Sequence, residues 1–335
     1  MAVGVLLVGG FGTRLMPLTK HTPKPMLTVA GLPVTEHQLA MARKAGITTV
    51  VLATSYLSEL FTPYFGDGSR WGMKLLYAVE KEPLGTGGAI AHAAQLLDAN
   101  ESIVVFNGDV LSSHNLAEQI RQHEANSADV TLHLTAVEDA RAYGCVPTDS
   151  EGRVTAFLEK MDKPITNMIN AGCYVFNPSV VKSIPRNRVI SVEHETFPGL
   201  ISTYGKVCGF IDRSYWLDIG TPRALLQGSR DLVTGLADAS ALQMADVALH
   251  NEHSLIMSTA IVDASAIIDK GSCIGAGTRI GGGAHISGSI IDSGAVVGRG
   301  AVVIDSFIAS ASHVSENAQI SASFVTKDEI LSIPA

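Results

Sequence analysis

Charge is what this sequence has least of. Only 17% of its 335 residues are Asp, Glu, Lys or Arg, against ~25% in an average globular domain, and its lysines and arginines form no run. With a formal net charge of -8, the chain has no basic stretch to release counterions from a nucleic acid or to hold an anionic membrane, so neither is expected as a partner. Aromatic residues make up 6%, and the four cysteines, Cys145, Cys173, Cys208 and Cys273, are widely spaced with no CxxC pair. That spacing argues against a disulfide framework or a cysteine-bound zinc and points to four small buried hydrophobes. No apolar run approaches the ~18 residues that cross a bilayer, and no positive charge precedes the first run, residues 3–8, as a secretory signal would require. A cytoplasmic protein with small-molecule ligands is the expectation.

Apolar side chains, at 46%, and 32 glycines are what the sequence has instead. A chain of this length and hydrophobicity can bury a sizeable core, in two domains. Up to about residue 176, β-branched runs at 3–8, 48–53, 75–79, 103–106 and 130–137 alternate with helical patterns at 36–44, 57–65, 88–97 and 116–124. Strands alternating with helices imply an α/β fold with a doubly wound, mostly parallel sheet, whose ligands lie at the carboxyl ends of its strands. Past residue 260 the rhythm changes. Val262, Ile268, Ile274, Ile280 and Ile286 recur every six residues; a four-residue step follows, and Ile290, Val296, Val302, Ile308, Val314 and Ile320 continue the spacing. Period six is the hexapeptide signature of a left-handed parallel β-helix, of about three coils here. The expected organisation is a catalytic domain over 1–228, a helical connection over 229–253 and the β-helix over 254–326.

Directly after the first strand comes GGFGTRLMPLT (9–19), then PKPM (23–26). A glycine-rich turn lets backbone N–H groups approach phosphate oxygens with no Cβ in the way. It lacks the third glycine of a dinucleotide fingerprint and the Gly-Lys-Ser/Thr of a Walker loop. Its distinguishing feature is a pair of cations, Arg14 in the loop and Lys24 ten residues on, both able to face a polyphosphate.

These segments resemble the signature of the sugar-1-phosphate nucleotidyltransferases. Further matches follow in order: EPLGT (82–86), NGD (107–109), YG (143–144), FLEK (157–160), NAG (170–172) and YWLDIGT (215–221). The likeness covers roughly residues 3–230, and the hexapeptide tail is itself common in that family. Within it, LVGG (7–10), LATSY (52–56) and SVEHETFP (191–198) are most similar to the mannose-1-phosphate guanylyltransferases. The resemblance implies a Rossmann-like catalytic domain in which a sugar-1-phosphate oxygen attacks the α-phosphorus of a nucleoside triphosphate and pyrophosphate departs. GTP and mannose-1-phosphate are the expected substrates; UTP or dTTP with glucose-1-phosphate, or a heptose-1-phosphate, are the alternatives.

Both reactants are anions, so the chemistry calls for charge neutralisation and alignment rather than a protein nucleophile. By resemblance, Arg14 and Lys24 are the catalytic cations, and Asp109 and Asp218 hold Mg²⁺. Val8, Gly9, Gly10, Gly12, Thr13, Glu80, Glu82, Pro83, Gly85 and Thr86 bind the nucleotide, and Asn107, Gly144, Glu159, Lys160 and Asn170 bind the sugar phosphate. Guanine offers two adjacent donors, N1–H and N2–H, which a carboxylate can accept together, and Glu80 or Glu82 can supply it. Met16 stands where many relatives carry a second Arg, Met161 where a Pro is common, and Cys145 where an aliphatic residue is usual. Two rival readings remain: an acyltransferase carried by the coils through His285 or His313, and a regulatory subunit that keeps the fold without the activity. Assembly into a homo-oligomer through the β-helix or the catalytic domain is expected.

Overall fold

A computed structural model describes every residue except Met1, Phe11, Tyr56, Asp98, Ala99, Asn187, Pro334 and Ala335. Phe11 of the glycine-rich turn and Tyr56 of the 52–56 motif therefore lie outside the described residues. The chain divides into two compact units, one comprising residues 1–11 and 38–216, the other residues 12–37 and 217–335. The sequence-based boundary near 228 differs from this division in two respects. The cut falls after Trp216, and the segment that begins inside the glycine-rich turn groups with the coils.

The first unit is built on a nine-stranded sheet. Its centre is the strand Ala2–Leu7, paired in parallel with Thr49–Thr54 on one side and Ser102–Asn107 on the other, with Lys74–Val79 outside Thr49–Thr54. These strands are Val- and Leu-rich on both faces because helices cover a parallel sheet on both sides. The Met168–Phe176 strand then runs antiparallel to both Ser102–Asn107 and Val130–Ala136. The sheet is thus parallel at its centre and mixed at its flank. The core interleaves Val5, Val51 and Val105 with Ile90 and Ala93 of the helix Gly85–Ala93 and with Tyr174, Phe176 and Phe197. Asn115 caps the helix Leu116–Asn126 by accepting from Glu118 N through Oδ1 (3.1 Å). All four cysteines are buried and free.

In the second unit three stacked parallel sheets form the coils of a β-helix. Ser254 pairs with Ser272, so the first coil takes 18 residues; Ile290 pairs with Phe307 and Phe307 with Phe324, so later coils take 17. Four coils and a final strand are present where about three were expected. The interior side chains are Ile274, Ile280, Ile286, Ile291, Val297, Val303, Ile308 and Val314. The step from Ile286 is therefore five residues, and Ile290, Val296 and Val302 of the expected pattern face outward.

The shortened side is a serine ladder. Ser272 Oγ accepts from Ser289 N, Ser289 Oγ from Ser306 N and Ser306 Oγ from Ser323 N, each at 3.1 Å. One hydroxyl per coil thus satisfies a backbone donor that the tighter corner would otherwise leave unpaired. The outer face of the first sheet is apolar too. Cys273, Ile290, Phe307 and Phe324 are buried, and the helix Pro222–Val233 packs on the strand Ser272–Ile274. That helix ends at Val233, a short 3-10 helix follows at Ser240–Met244 and Val247–His250 is a strand, so the connection expected to be helical over 229–253 is helical only in part.

Candidate active site

In the first unit, residues 8–10, 80–86 and 107–109 lie at the carboxyl ends of three parallel strands, whereas Gly144, Glu159 and Asn170 lie on antiparallel strands and Lys160 directly after one. Past Leu7, Val8 N donates to Ala53 O (3.0 Å) and Ser55 Oγ donates to Gly9 O (2.7 Å), fixing the exit of the glycine-rich turn. A Cβ at Gly9 would stand 2.6 Å from that same Ser55 Oγ, whereas one at Gly10 would meet nothing within 4 Å. Glu80 follows the Lys74–Val79 strand. Its Oε2 accepts from Leu84 N (3.1 Å), closing the turn that holds Glu82 and Pro83, and burial raises its carboxyl above the usual range. Glu80 is half-buried; Glu82 and Pro83 are exposed. Gly85 is required by the backbone: its φ is +70°, and a Cβ would lie 2.5 Å from Ile190 O. Thr86 is already engaged within the protein, donating to Glu193 Oε2 (2.7 Å) and accepting from Val192 N (3.0 Å).

The Ser102–Asn107 strand delivers Asn107, Gly108 and Asp109. Gly108 N donates to Leu7 O (3.0 Å), and a Cβ there would stand 2.3 Å from that oxygen, so only glycine permits this approach of the two strand ends. Gln38, buried and missed from sequence, clamps the same bend: its Nε2 donates to Asn107 O (2.6 Å) and Val110 O (3.0 Å), on either side of Asp109. Asn170 pairs with Leu134 at the edge of an irregularity in register that runs to Tyr174. Gly172 there has φ +76°; Asn170 Oδ1 accepts from Gly172 N (3.1 Å), and Nδ2 donates to Tyr174 Oη (2.8 Å). Gly144 and Glu159 pair across short antiparallel strands. A Cβ at Gly144 would sit 2.7 Å from Glu159 Oε2 and 2.9 Å from the Phe157 ring. Lys160, at φ +49°, places its Nζ 3.7 Å from Glu159 Oε1.

In the second unit, Gly12 (φ +61°) starts the short helix Thr13–Leu15. Buried Thr19 donates to Gly12 O (2.9 Å), and a Cβ on Gly12 would meet Lys24 Cβ and Thr19 Cγ2 at 2.9 Å. The bare glycine therefore lets the segment fold back so that Arg14 and Lys24 approach the same carboxylate. Arg14 Nη2 lies 3.9 Å from Asp218 Oδ2 and Lys24 Nζ 3.8 Å from Asp218 Oδ1. Arg14 is exposed, while Lys24 is only 8% accessible. Gly220 makes room for the guanidinium: a Cβ there would be 2.6 Å from Arg14 Nη2. Beyond Lys24, Thr28 Oγ1 donates to Asp292 Oδ1 (3.0 Å), tying this segment to the coils. Thr13 is exposed.

Among the described residues, no group of three or more His, Cys, Asp or Glu could hold a metal ion alone. Asp109 in the first unit and Asp218 in the second are each carboxylates, hard oxygen donors of the kind that bind cations completed by water and substrate phosphates. In the coils, His285 Nε2 lies 3.2 Å from Asp269 Oδ2 on the neighbouring coil, and His313 is exposed. No described helix is long and apolar enough to cross a membrane.

The sequence profile of the Nucleotidyl transferase family matches residues 3–235. Over 240 residues the chain is 53% identical to a mannose-1-phosphate guanylyltransferase of Mycobacterium tuberculosis, covering 71% of this chain and 67% of that protein. It is 37% identical over 227 residues to the mannose-1-phosphate guanyltransferase beta-B of Xenopus laevis, covering 67% of this chain and 62% of that one. Among solved structures, HddC from Yersinia pseudotuberculosis complexed with GMP-PN matches with a TM-score of 0.60 at 27% identity, over 69% of this chain and 99% of that one. A putative glucose-1-phosphate thymidylyltransferase from Bacillus anthracis in complex with a sucrose shares the fold, with a TM-score of 0.62 at 21% identity, over 68% of this chain and 94% of that one.

Proposed function

The chain belongs to the nucleotidyl transferase family, and from that premise we propose that it transfers a guanylyl group from GTP to mannose-1-phosphate, forming GDP-mannose and pyrophosphate. The observation that carries this reading is the 53% identity to the mycobacterial mannose-1-phosphate guanylyltransferase across the matched 240 residues, taken with two cations gathered on one aspartate.

The reaction needs the sugar phosphate held in line with the bond from the α-phosphorus to pyrophosphate, and negative charge neutralised as that bond breaks. Lys24 suits the second task. A mostly buried ammonium in low dielectric acts on a phosphate more strongly than a solvated one. Arg14, exposed and forked, suits the departing pyrophosphate. In their ion pairs with Asp218 the two cations are held near each other before any phosphate arrives. Gly10, whose missing Cβ answers to no protein neighbour, leaves its backbone open to a phosphate oxygen. Nucleotidyltransferases of this family generally use a divalent metal. For this chain we assign Mg²⁺ with Asp109 and Asp218 as its ligands; when bound, it would neutralise phosphate charge and orient the oxygens.

Glu80 is our choice for reading guanine. It is half-buried, its orientation is fixed by Leu84 N, and among the described residues its Oε1 accepts no hydrogen bond. Glu159, Asn170, Asn107 and the backbone of Gly144 are assigned to the hexose and Lys160 to its phosphate. The test is pyrophosphate release by the full chain with Mg²⁺ across four nucleoside triphosphates and several sugar-1-phosphates. GTP with mannose-1-phosphate should give the highest kcat/KM. No release from that pair, with release from another, would reject guanylyl and mannosyl specificity and keep nucleotidyl transfer.

A further inference from the structure

The segment Ser191–Thr196 holds two glutamates in different environments. Residues Val192–Thr196 form a single wide turn of π-helix, a local irregularity often found at functional sites. Ser191 Oγ accepts from His194 N (3.1 Å), closing the turn. Glu195 is fully used by it: Oε1 accepts from Ser191 N (3.2 Å) and Oε2 from Arg188 Nη2 (2.5 Å). Glu193 is not. Its Oε2 accepts from both Thr86 Oγ1 (2.7 Å) and Ser191 Oγ (2.8 Å), while among the described residues Oε1 accepts nothing. Two hydroxyl donors on one oxygen fix the orientation of a half-buried carboxylate and leave a full acceptor on the other.

The surroundings of Glu193 are those of the proposed hexose residues. Its charge acts on Tyr174, a fully buried phenol whose proton is held more tightly, first by burial and then by Glu193. The same phenol oxygen accepts from Asn170 Nδ2. Phe197, directly after the π-turn, packs on Tyr174 (centroids 5.2 Å apart) and on Phe157 (5.2 Å), whose ring edge confronts Gly144. Asn170, Gly144 and Glu193 are thus joined through one aromatic cluster within one compact unit.

We propose that Glu193 is a sugar-recognising carboxylate, its Oε1 accepting a hydrogen bond from a ring hydroxyl of the hexose-1-phosphate. The assignment deepens the functional reading above and rests on it. Glu193 complements Glu159, so the subsite presents two carboxylates to a polyhydroxylated ring, and a hexose lacking the contacted hydroxyl leaves the oriented Oε1 of Glu193 without its sugar partner. Such a loss discriminates between hexoses, because an acceptor held in place for a hydroxyl forfeits that hydrogen bond when the hydroxyl is absent.

The test is steady-state kinetics of the full chain with GTP, mannose-1-phosphate and a panel of monodeoxy mannose-1-phosphates, alongside thermal melting. Glu193→Gln should raise KM for mannose-1-phosphate about tenfold or more, with KM for GTP changed less than twofold. One monodeoxy substrate should be disfavoured by the unaltered protein and no longer by the variant. Ser191→Ala, which removes one orienting donor and keeps the carboxylate, should raise the same KM by a smaller factor and carries the test if Glu193→Gln fails to fold. Glu195→Gln should lower the melting temperature and leave that KM unchanged. A foldable Glu193→Gln whose sugar KM is unchanged, whose GTP KM rises equally, or whose deoxy-sugar profile matches that of the unaltered protein would overturn the assignment alone. An unaltered protein that turns over no hexose-1-phosphate with any nucleotide would overturn the functional reading and this assignment with it.

Discussion

The α/β unit and the β-helix solve opposite problems with similar residues. In the coils, one hexapeptide solution is repeated, and each coil hands its serine hydroxyl to the next at a spacing of 17 residues. In the α/β unit the strands are regular only in the core, and each carboxyl end is different: a glycine forced by Leu7 O at Gly108, a bulge at Gly172, a carboxylate-closed turn at Glu80. The regular coils offer repeated backbone pairing, and the irregular strand ends carry the residues proposed for substrate binding. The segment 12–37 qualifies the contrast. It carries both proposed catalytic cations, yet groups with the coils, to which Thr28 is bonded through Asp292. The β-helix therefore supports part of the proposed machinery directly.

Substitutions at the cations should break the comparison most sharply. Arg14→Ala or Lys24→Met should lower kcat by on the order of 10²- to 10³-fold while the melting temperature stays nearly unchanged, as measured by pyrophosphate release and calorimetry. A large fall in melting temperature with either would mean that these side chains hold the fold rather than the phosphate. In the coils the pattern should reverse. Ile291→Ala, inward and fully buried, should cost about 2–5 kcal/mol of stability, against under ~1 kcal/mol for Ile304→Ala, half-buried on the outer face. Equal costs in denaturant unfolding would contradict the five-residue step in the coils.

Acid should load the α/β unit more heavily, since three buried histidines are depressed there against His37 in the second unit, which burial also lowers to about 4. His114 and His133 stack in the α/β unit with ring centroids 3.9 Å apart. Burial lowers His114 to about 4 and His133 well below its usual 6.5, and it lowers His123 in the same unit to about 4. Because the folded state keeps these rings neutral while the unfolded chain protonates near 6.5, their contribution is fully present above that pH. It is lost as pH falls toward 4, by on the order of 2–3 kcal/mol for a deeply buried ring. Unfolding followed from pH 7.5 to 4.5 should show this loss, and His133→Leu should flatten it; an unchanged pH slope in that variant would exclude the pair as its source. The smallest effect sought is one of selectivity. Glu80→Gln should lower the ratio of GTP to UTP use by about tenfold, and an unchanged ratio would remove Glu80 as the base reader.

How far the sequence could be read follows the same division. The central strands and the glycine-rich turn were legible because a β-branched run ending in glycines has few other uses. The hexapeptide period was legible because it repeats. Its phase was not, since Ile290 and Phe307 are as buried on the outside of one sheet as Ile291 and Ile308 are within, so hydrophobicity alone does not distinguish the two faces. Gln38 and Glu193 were missed for a related reason. Each acts through partners distant in sequence, Asn107 and Val110 for one and Thr86 for the other; Glu193 lies in the 191–198 motif, but the motif's composition does not say which of its two glutamates keeps an open acceptor. The connection expected to be helical over 229–253 keeps helix only at its start and in the short turn Ser240–Met244, because the chain beyond joins the edge of the first coil, Val247–His250 pairing with Ser254–Met257, and tertiary pairing overrides local propensity.

The most direct test of the account follows the phosphorus atoms. GTP labelled at its α-phosphorus, incubated with mannose-1-phosphate, Mg²⁺ and the full chain, should pass its label into GDP-mannose, with unlabelled pyrophosphate released in equal amount. Label recovered as GMP, or left in GTP while a different labelled nucleotide yields its own sugar product, would contradict guanylyl transfer to mannose-1-phosphate.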